Sequence, residues 1–220
     1  MPSGVRSLKG FLIISIARKE NIMAQEHSFA TPGPAGLAAL AVACFGFGAV
    51  FLGKVGLEGL PLLAAWLVGG FIVQFTTAVI ELKDHSITGG NVFLFFSAFF
   101  MAAAALSVTS KFLMIKFGMK PAVHVEGWMW MAGAAFLTLV TPAYAKSTSL
   151  LFFAVVLIDI ALWCIVGLDS GWYGSAAVFK PIVAWALIIA GWCGLYLAGA
   201  ITCNTVYGRP VYPVPKPLVK

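Results

Sequence analysis

The stretch LLFFAVVLIDIALWCIVGL, Leu150–Leu168, decides the fold. It carries one charge, Asp159, and nearly reaches the roughly 20 apolar residues that take a helix across a bilayer. It lacks the strict apolar–polar alternation of a barrel strand. Five further runs share its character: Pro34–Gly53, Leu60–Ile80, Asn91–Ile115, Gly127–Val140 and Ala176–Ile201. Gly127–Val140 reaches span length only with Pro142 and its neighbours at the interface. Charges or turn formers separate the runs at Lys54–Glu58, Glu81–Asn91, Lys116–Glu126, Tyr144–Ser149 and Asp169–Ser175.

Composition agrees. Of 220 residues, 61% are hydrophobic and 10% charged, against about 25% charged in soluble domains. That excludes an ordinary soluble enzyme, a disordered chain and a disulfide-stapled secreted module. Lys and Arg number 14 against 8 Asp and Glu, a net +6. An apolar chain with a basic excess reads as an all-α integral membrane protein of six transmembrane helices. With the N-terminus inside, the inner loops and ends carry Arg6, Lys9, Arg18, Lys19, Lys83, Lys146, Arg209, Lys216 and Lys220. The outer side carries Lys54, Lys111, Lys116, Lys120 and Lys180. This bias places both termini in the cytoplasm of a cell (plasma or inner) membrane. Trp128, Trp130, Trp172 and Tyr173 fit interfacial anchors.

The organisation expected is a cytoplasmic leader over 1–30, a transport domain over 31–203 and a cytoplasmic tail over 204–220. Phe11–Ala17 is a short apolar patch behind Arg6 and Lys9; no clear small-residue cleavage site follows it, and Met23 is a second candidate start. Cys44, Cys164, Cys193 and Cys203 show no paired spacing and read as small packing residues, with no metal or cofactor implied.

The chain shows no catalytic set. His27, His85 and His124 fall in loops, and neither a paired His-x-x-x-His motif nor a Gly-x-Ser-x-Gly elbow occurs. Asp159 is the clear in-span ionisable group. Such carboxylates cost about 2.5–3.5 kcal/mol on insertion scales. Asp159 is either a proton-coupling or gating site, or a hydrogen-bonded carboxyl joining two helices. Glu81, closing span two beside Lys83, reads as part of a solvated interfacial pair.

Spans one, three and five start on the same side. Thr31-Pro32-Gly33-Pro34 precedes the first, Ser86-Ile87-Thr88-Gly89-Gly90-Asn91 the second, and Ser147-Thr148-Ser149 the third. Each offers hydroxyl caps. Helix starts carry partial positive charge and free N–H donors. Converging, they form an anion-attracting mouth; otherwise each cap serves only its own helix. Gly191, Gly194 and Gly199 thin the last span, as contacts between or within protomers require.

These residues resemble the acetate uptake transporter family, the succinate–acetate permease group. Its Asn-Pro-Ala-Pro-Leu-Gly-Leu motif is similar to Thr31-Pro32-Gly33-Pro34-Ala35-Gly36-Leu37. Gly69, Gly70, Gln74 and Glu81 resemble its span-two pattern, and Gly89 keeps the glycine of its Asn-Thr-Phe-Gly turn. Phe93, Phe96 and Phe99 fall on aromatic positions of span three. Trp130, Phe152-Phe153, Tyr196-Leu197-Ala198, Asn204, Gly208-Arg209 and Pro213 also fit. The resemblance covers roughly 31–213.

It implies a six-helix protomer with its own pore, assembled as a homo-hexamer, moving acetate and related short carboxylates, including succinate in some members. It implies a constriction at Leu40, Phe96 and Val155, less polar here because the family's tyrosine is Phe96. The mouth would be Thr31, Pro32, Gly33, Pro34, Thr88, Gly89 and Asn91. Gln74, Glu81, Phe93, Phe99 and Trp130 would be further pore or motif positions, and protons a second partner through Asp159. Lys111, Lys116 and Lys120 would attract anions, or be merely solvated. The partners expected are thus a carboxylate, protons and lipid, with no nucleic acid. A six-span channel for urea or a short amide, and a non-transporting scaffold, share the composition.

Overall fold

The computed structural model describes residues 30–219. The leader patch, His27 and Met23 lie outside them. The chain divides between Thr31 and Pro32, and the helical bundle is the unit that starts at Pro32.

Six helices are described. They are α1 (Gly33–Phe51), α2 (Leu60–Lys83), α3 (Ile87–Lys116), α4 (His124–Val140), α5 (Ser149–Asp169) and α6 (Ala176–Tyr207). All but α4 are long and apolar enough to cross a membrane. Helix α4 has 17 residues, about 26 Å at 1.5 Å per residue. The 3-10 helix Thr141–Lys146, with Pro142 in its first turn, follows directly and supplies the missing length. Among the described residues there is no strand beyond one isolated bridge, Thr148 to Pro217. The chain is a multi-pass helical membrane protein.

Helices adjacent in sequence pack together, and α6 returns to pack closely on α1. The ring α1–α2–α3–α4–α5–α6 is thereby closed. The α1–α6 seam is tight because both helices are thin there. A Cβ at Gly48 would stand 2.7 Å from Ile188, one at Gly191 2.9 Å from Phe45, and one at Gly194 3.3 Å from the Leu37 carbonyl. Gly191 and Gly194 therefore serve packing inside the protomer. Gly199 faces open space.

Helix α2 ends by a Schellman turn: Ser86 N–H donates to the Glu81 carbonyl and His85 N–H to the Leu82 carbonyl. His85 takes the left-handed position, φ 61°. This tight reversal starts α3 at Ile87, four residues earlier than the apolar run suggests. Ser86 to Asn91 is thus the first turn of a helix and its cap position, not a preceding loop.

Of the expected anchors, Trp128 and Trp172 are exposed. Trp130 and Tyr173 turn inward instead: Trp130 lies edge-on to Phe100, and Tyr173 stacks on Phe179 at 3.9 Å. Helical phase separates Trp128 from Trp130 on α4, while Trp172 and Tyr173 lie in the turn between α5 and α6.

Candidate functional site

At the start of α1 the cap position falls on Pro32, which has no side chain to cap with, and Thr31 stands one residue before it. The Pro32 carbonyl accepts from Ala35 N–H (3.0 Å) and Gly36 N–H (3.2 Å). Pro34 has no N–H, and Gly33 is not free either. Two of the donors offered above to an anion, the Ala35 and Gly36 N–H groups, are therefore already engaged.

Other polar groups stand there. Thr77 donates its hydroxyl to the Pro32 carbonyl, and Gln74 donates Nε2 to the Gly36 carbonyl, both at 3.5 Å. Both side chains come from one face of α2 and are 1% exposed. Gln74 Oε1 is buried without a partner. A primary amide can donate to a carboxylate or accept from a carboxylic acid hydroxyl. Gly36 makes this closeness possible: a Cβ there would meet Thr77 Cγ2 at 2.8 Å and the Phe93 ring at 2.9 Å. Pro32, Gly36, Gln74, Thr77 and Phe93 thus unite α1, α2 and α3. Thr77 was not anticipated; its place three residues after Gln74 on the same helix face was the available signal.

At the start of α3, Gly89 and Gly90 seat the end of α2. A Cβ at Gly90 would lie 2.6 Å from Leu82, and one at Gly89 3.2 Å from a Glu81 carboxylate oxygen. Glu81 thus rests against the positive end of α3. Thr88 is half-buried. Asn91 is exposed and donates to its own helix at Ile87. At α5 the expected hydroxyl cap forms: Thr148 accepts from Leu151 N–H at 3.2 Å.

Leu40, Phe96 and Val155 share one contiguous apolar cluster. Phe96 meets Phe95 and Phe100 edge-on, and Phe100 lies 5.2 Å from Phe47. Directly after Phe96, Ser97–Ala103 is π-helical, a feature often found at functional positions. Its Met101 sits on Gly70, where a Cβ would approach the sulfur to 2.9 Å. Gly69 faces open space. Phe99 does not join the cluster's interior; it is 52% exposed.

Asp159 lies between α4 and α5. It accepts from the Thr138 hydroxyl at 2.9 Å, and Trp163 Nε1 donates to that hydroxyl at 3.0 Å.

At the opposite end, Glu126 of α4 accepts from Ser107 and Lys111 of α3. Lys111 is therefore paired, not a solvated attractor. Its side chain is 27% exposed and that of Glu126 23%. Asp169 lies within electrostatic reach of this pair and of His124. Glu126→Ala would orphan two mostly buried groups, at an expected cost of about 1–3 kcal/mol. Thermal unfolding in detergent checks it, and Lys111→Met combined with Glu126→Leu should recover much of the loss.

The sequence matches the GPR1/FUN34/yaaH family over residues 17–216. The chain belongs to that family. This bears out the resemblance to the acetate uptake transporters. Among solved structures, one titled as that of the bacterial acetate channel SatP is similar to this GPR1/FUN34/yaaH member, with a TM-score of 0.72. The match covers 85% of this chain and 99% of the other at 22% identity, and speaks for a shared fold. A comparison with curated proteins gives no match.

Proposed function

We propose that this protein is a membrane channel or transporter for acetate and related short carboxylates, succinate included. The observation that carries the reading is the buried Gln74–Thr77 pair at the α1 start, in the same ring of helices as the Leu40, Phe96 and Val155 cluster. Family membership and the printed title of the similar structure supply the substrate class. Each protomer has its own pore in a homo-hexamer, both termini are cytoplasmic, and no catalysis is involved.

The physical problem is a carboxylate crossing an apolar throat. With a pKa of about 4.3, taking Glu as proxy, less than about 1% of the acid is neutral at pH 7. An isolated anion in a dry medium is very costly. No Lys or Arg lies deep in a span. The mouth comprises Pro32 to Pro34, Thr88, Gly89 and Asn91. There the helix dipoles favour the anion, and the Gln74 amide takes either protonation state. The throat is then short enough to act as a hydrophobic gate. Trp130 packs behind it; Phe93 and Glu81 shape its approach.

The decisive experiment is uptake of labelled acetate, succinate, formate and urea into proteoliposomes, with and without a pH gradient. Acetate flux that follows the gradient is expected. Urea flux without acetate flux would instead mark a neutral-solute channel, and absence of all flux a scaffold. For proton linkage the candidate is Asp159, held by Thr138. Asp159→Asn is expected to flatten the pH dependence of uptake. Unchanged uptake and an unchanged pH profile would leave Asp159 a structural link between α4 and α5.

A further inference from the structure

Beyond α6 the chain turns back on itself. Gly208 takes the left-handed conformation, φ 60°, which ends the helix and reverses the backbone. Asn204 then grips the returning segment. Its Oδ1 accepts from Val211 N–H (2.7 Å) and Tyr212 N–H (2.9 Å), and its Nδ2 donates to the Tyr212 carbonyl (2.9 Å). Tyr196 donates its hydroxyl to the Pro213 carbonyl at 2.7 Å. Farther along, Leu218 and Val219 N–H both donate to the Ala145 carbonyl at 3.0 Å, and Pro217 bridges to Thr148. The segment is fastened at both ends.

Two contacts between these fastenings matter. Val214 packs on the apolar group formed by Leu37, Leu197 and Ala198, which Phe93 and Leu151 also join. The Lys216 carbonyl accepts from Ser149 N–H, 3.2 Å away, at the first residue of α5. A carbonyl oxygen is the same kind of acceptor as a carboxylate oxygen. The segment thus occupies a donor at the positive end of α5 and an apolar lip beside α1 and α3. Pro210, Pro213, Pro215 and Pro217 restrict its backbone, so docking sacrifices little conformational freedom.

We propose that Val211–Val219 is a closing strap across the end of the bundle where α1 and α5 begin, and that it must leave for a carboxylate to pass. This rests on the transport reading above. Docked, its Lys216 carbonyl excludes an anion from the Ser149 N–H; released, it frees that donor and uncovers Leu37. The occupant is this chain's own segment, and the competing ligand is a short carboxylate.

The test uses the full chain in proteoliposomes, with the four native cysteines replaced and Thr148→Cys paired with Pro217→Cys. These positions face each other across an antiparallel bridge, within disulfide range. Oxidation is expected to lower acetate flux at least tenfold, and reduction of the same sample to restore it. Asn204→Ala, which loosens the strap without touching the bundle core, is expected to raise flux severalfold and to speed deuterium exchange at the Leu218 and Val219 amides. Full flux in the oxidised protein, or an Asn204→Ala variant with unchanged flux, overturns the strap while leaving the transport reading intact. Absence of acetate flux in the unmodified chain overturns both.

Discussion

Gly36→Val is expected to reduce acetate uptake at least tenfold, while Gly69→Ala on the neighbouring helix leaves it unchanged. The added Cβ alone would stand 2.8 Å from Thr77 and 2.9 Å from Phe93, where ordinary contacts begin near 3.4 Å. Valine adds two methyl groups beyond that. Overpacking of this kind costs about 1–3 kcal/mol, and here the strain falls on three helices at once. Relief requires α2 or α3 to move away from α1. Movement of α2 breaks the contacts of Gln74 with the Gly36 carbonyl and of Thr77 with the Pro32 carbonyl, which are already 3.5 Å long. Gly69 faces open space, so its methyl meets nothing. Uptake and thermal unfolding measured on both variants separate the loss of the site from loss of the fold. Wild-type uptake in Gly36→Val would remove the α1 start from the substrate path.

The same glycine illustrates what the sequence tells and what it conceals. The spans were legible because a bilayer imposes a length, and a length can be read locally. Run boundaries were displaced where a tight turn intervened, as at His85, since an apolar count does not see a left-handed residue closing a helix. Faces were less legible. In a soluble helix the polar side marks the exterior, but a membrane helix is apolar both toward lipid and toward its neighbours. Nothing in the pattern Phe93, Phe96, Phe99 says that Phe96 is buried and Phe99 exposed. Glycines were visible as small residues, yet Gly194 against Leu37 and Gly199 against nothing look alike in the chain. At the helix starts the chain does not show which residue takes the cap position. Thr31 and Ser86 look as good as Thr148 in the chain, but Pro32 takes the cap position of α1 and a Schellman turn sets the start of α3. The π-helical turn after Phe96 had no signal at all. The proline-rich end read as a tail because its partners, Tyr196, Asn204, Ala145 and Ser149, are brought to it by the fold.

The throat offers the second large effect. Val155 is 5% exposed and belongs to the cluster that contains Phe96 and adjoins Leu40. Val155→Ala removes two methyl groups from that cluster, at a cost of about 2 kcal/mol. If Val155 bounds the constriction, the gap left widens it. The expected result is a severalfold rise in succinate flux relative to acetate flux, with acetate itself little changed. Val155→Phe acts in the opposite direction. Its ring must enter an apolar cluster that already holds Phe96 and Phe100, with Phe95 packed against it, and acetate flux is expected to fall at least tenfold. The two variants together separate pore from core. A residue with only a packing role would destabilise the protein in both cases and leave the succinate-to-acetate ratio where it was. A residue on the permeation path moves that ratio in the alanine variant, because a hydrophobic gate discriminates by width and by the water it excludes. The ratio is internal to each preparation, so it is insensitive to how much folded protein the vesicles contain. An unchanged ratio in Val155→Ala would place the constriction elsewhere in the ring.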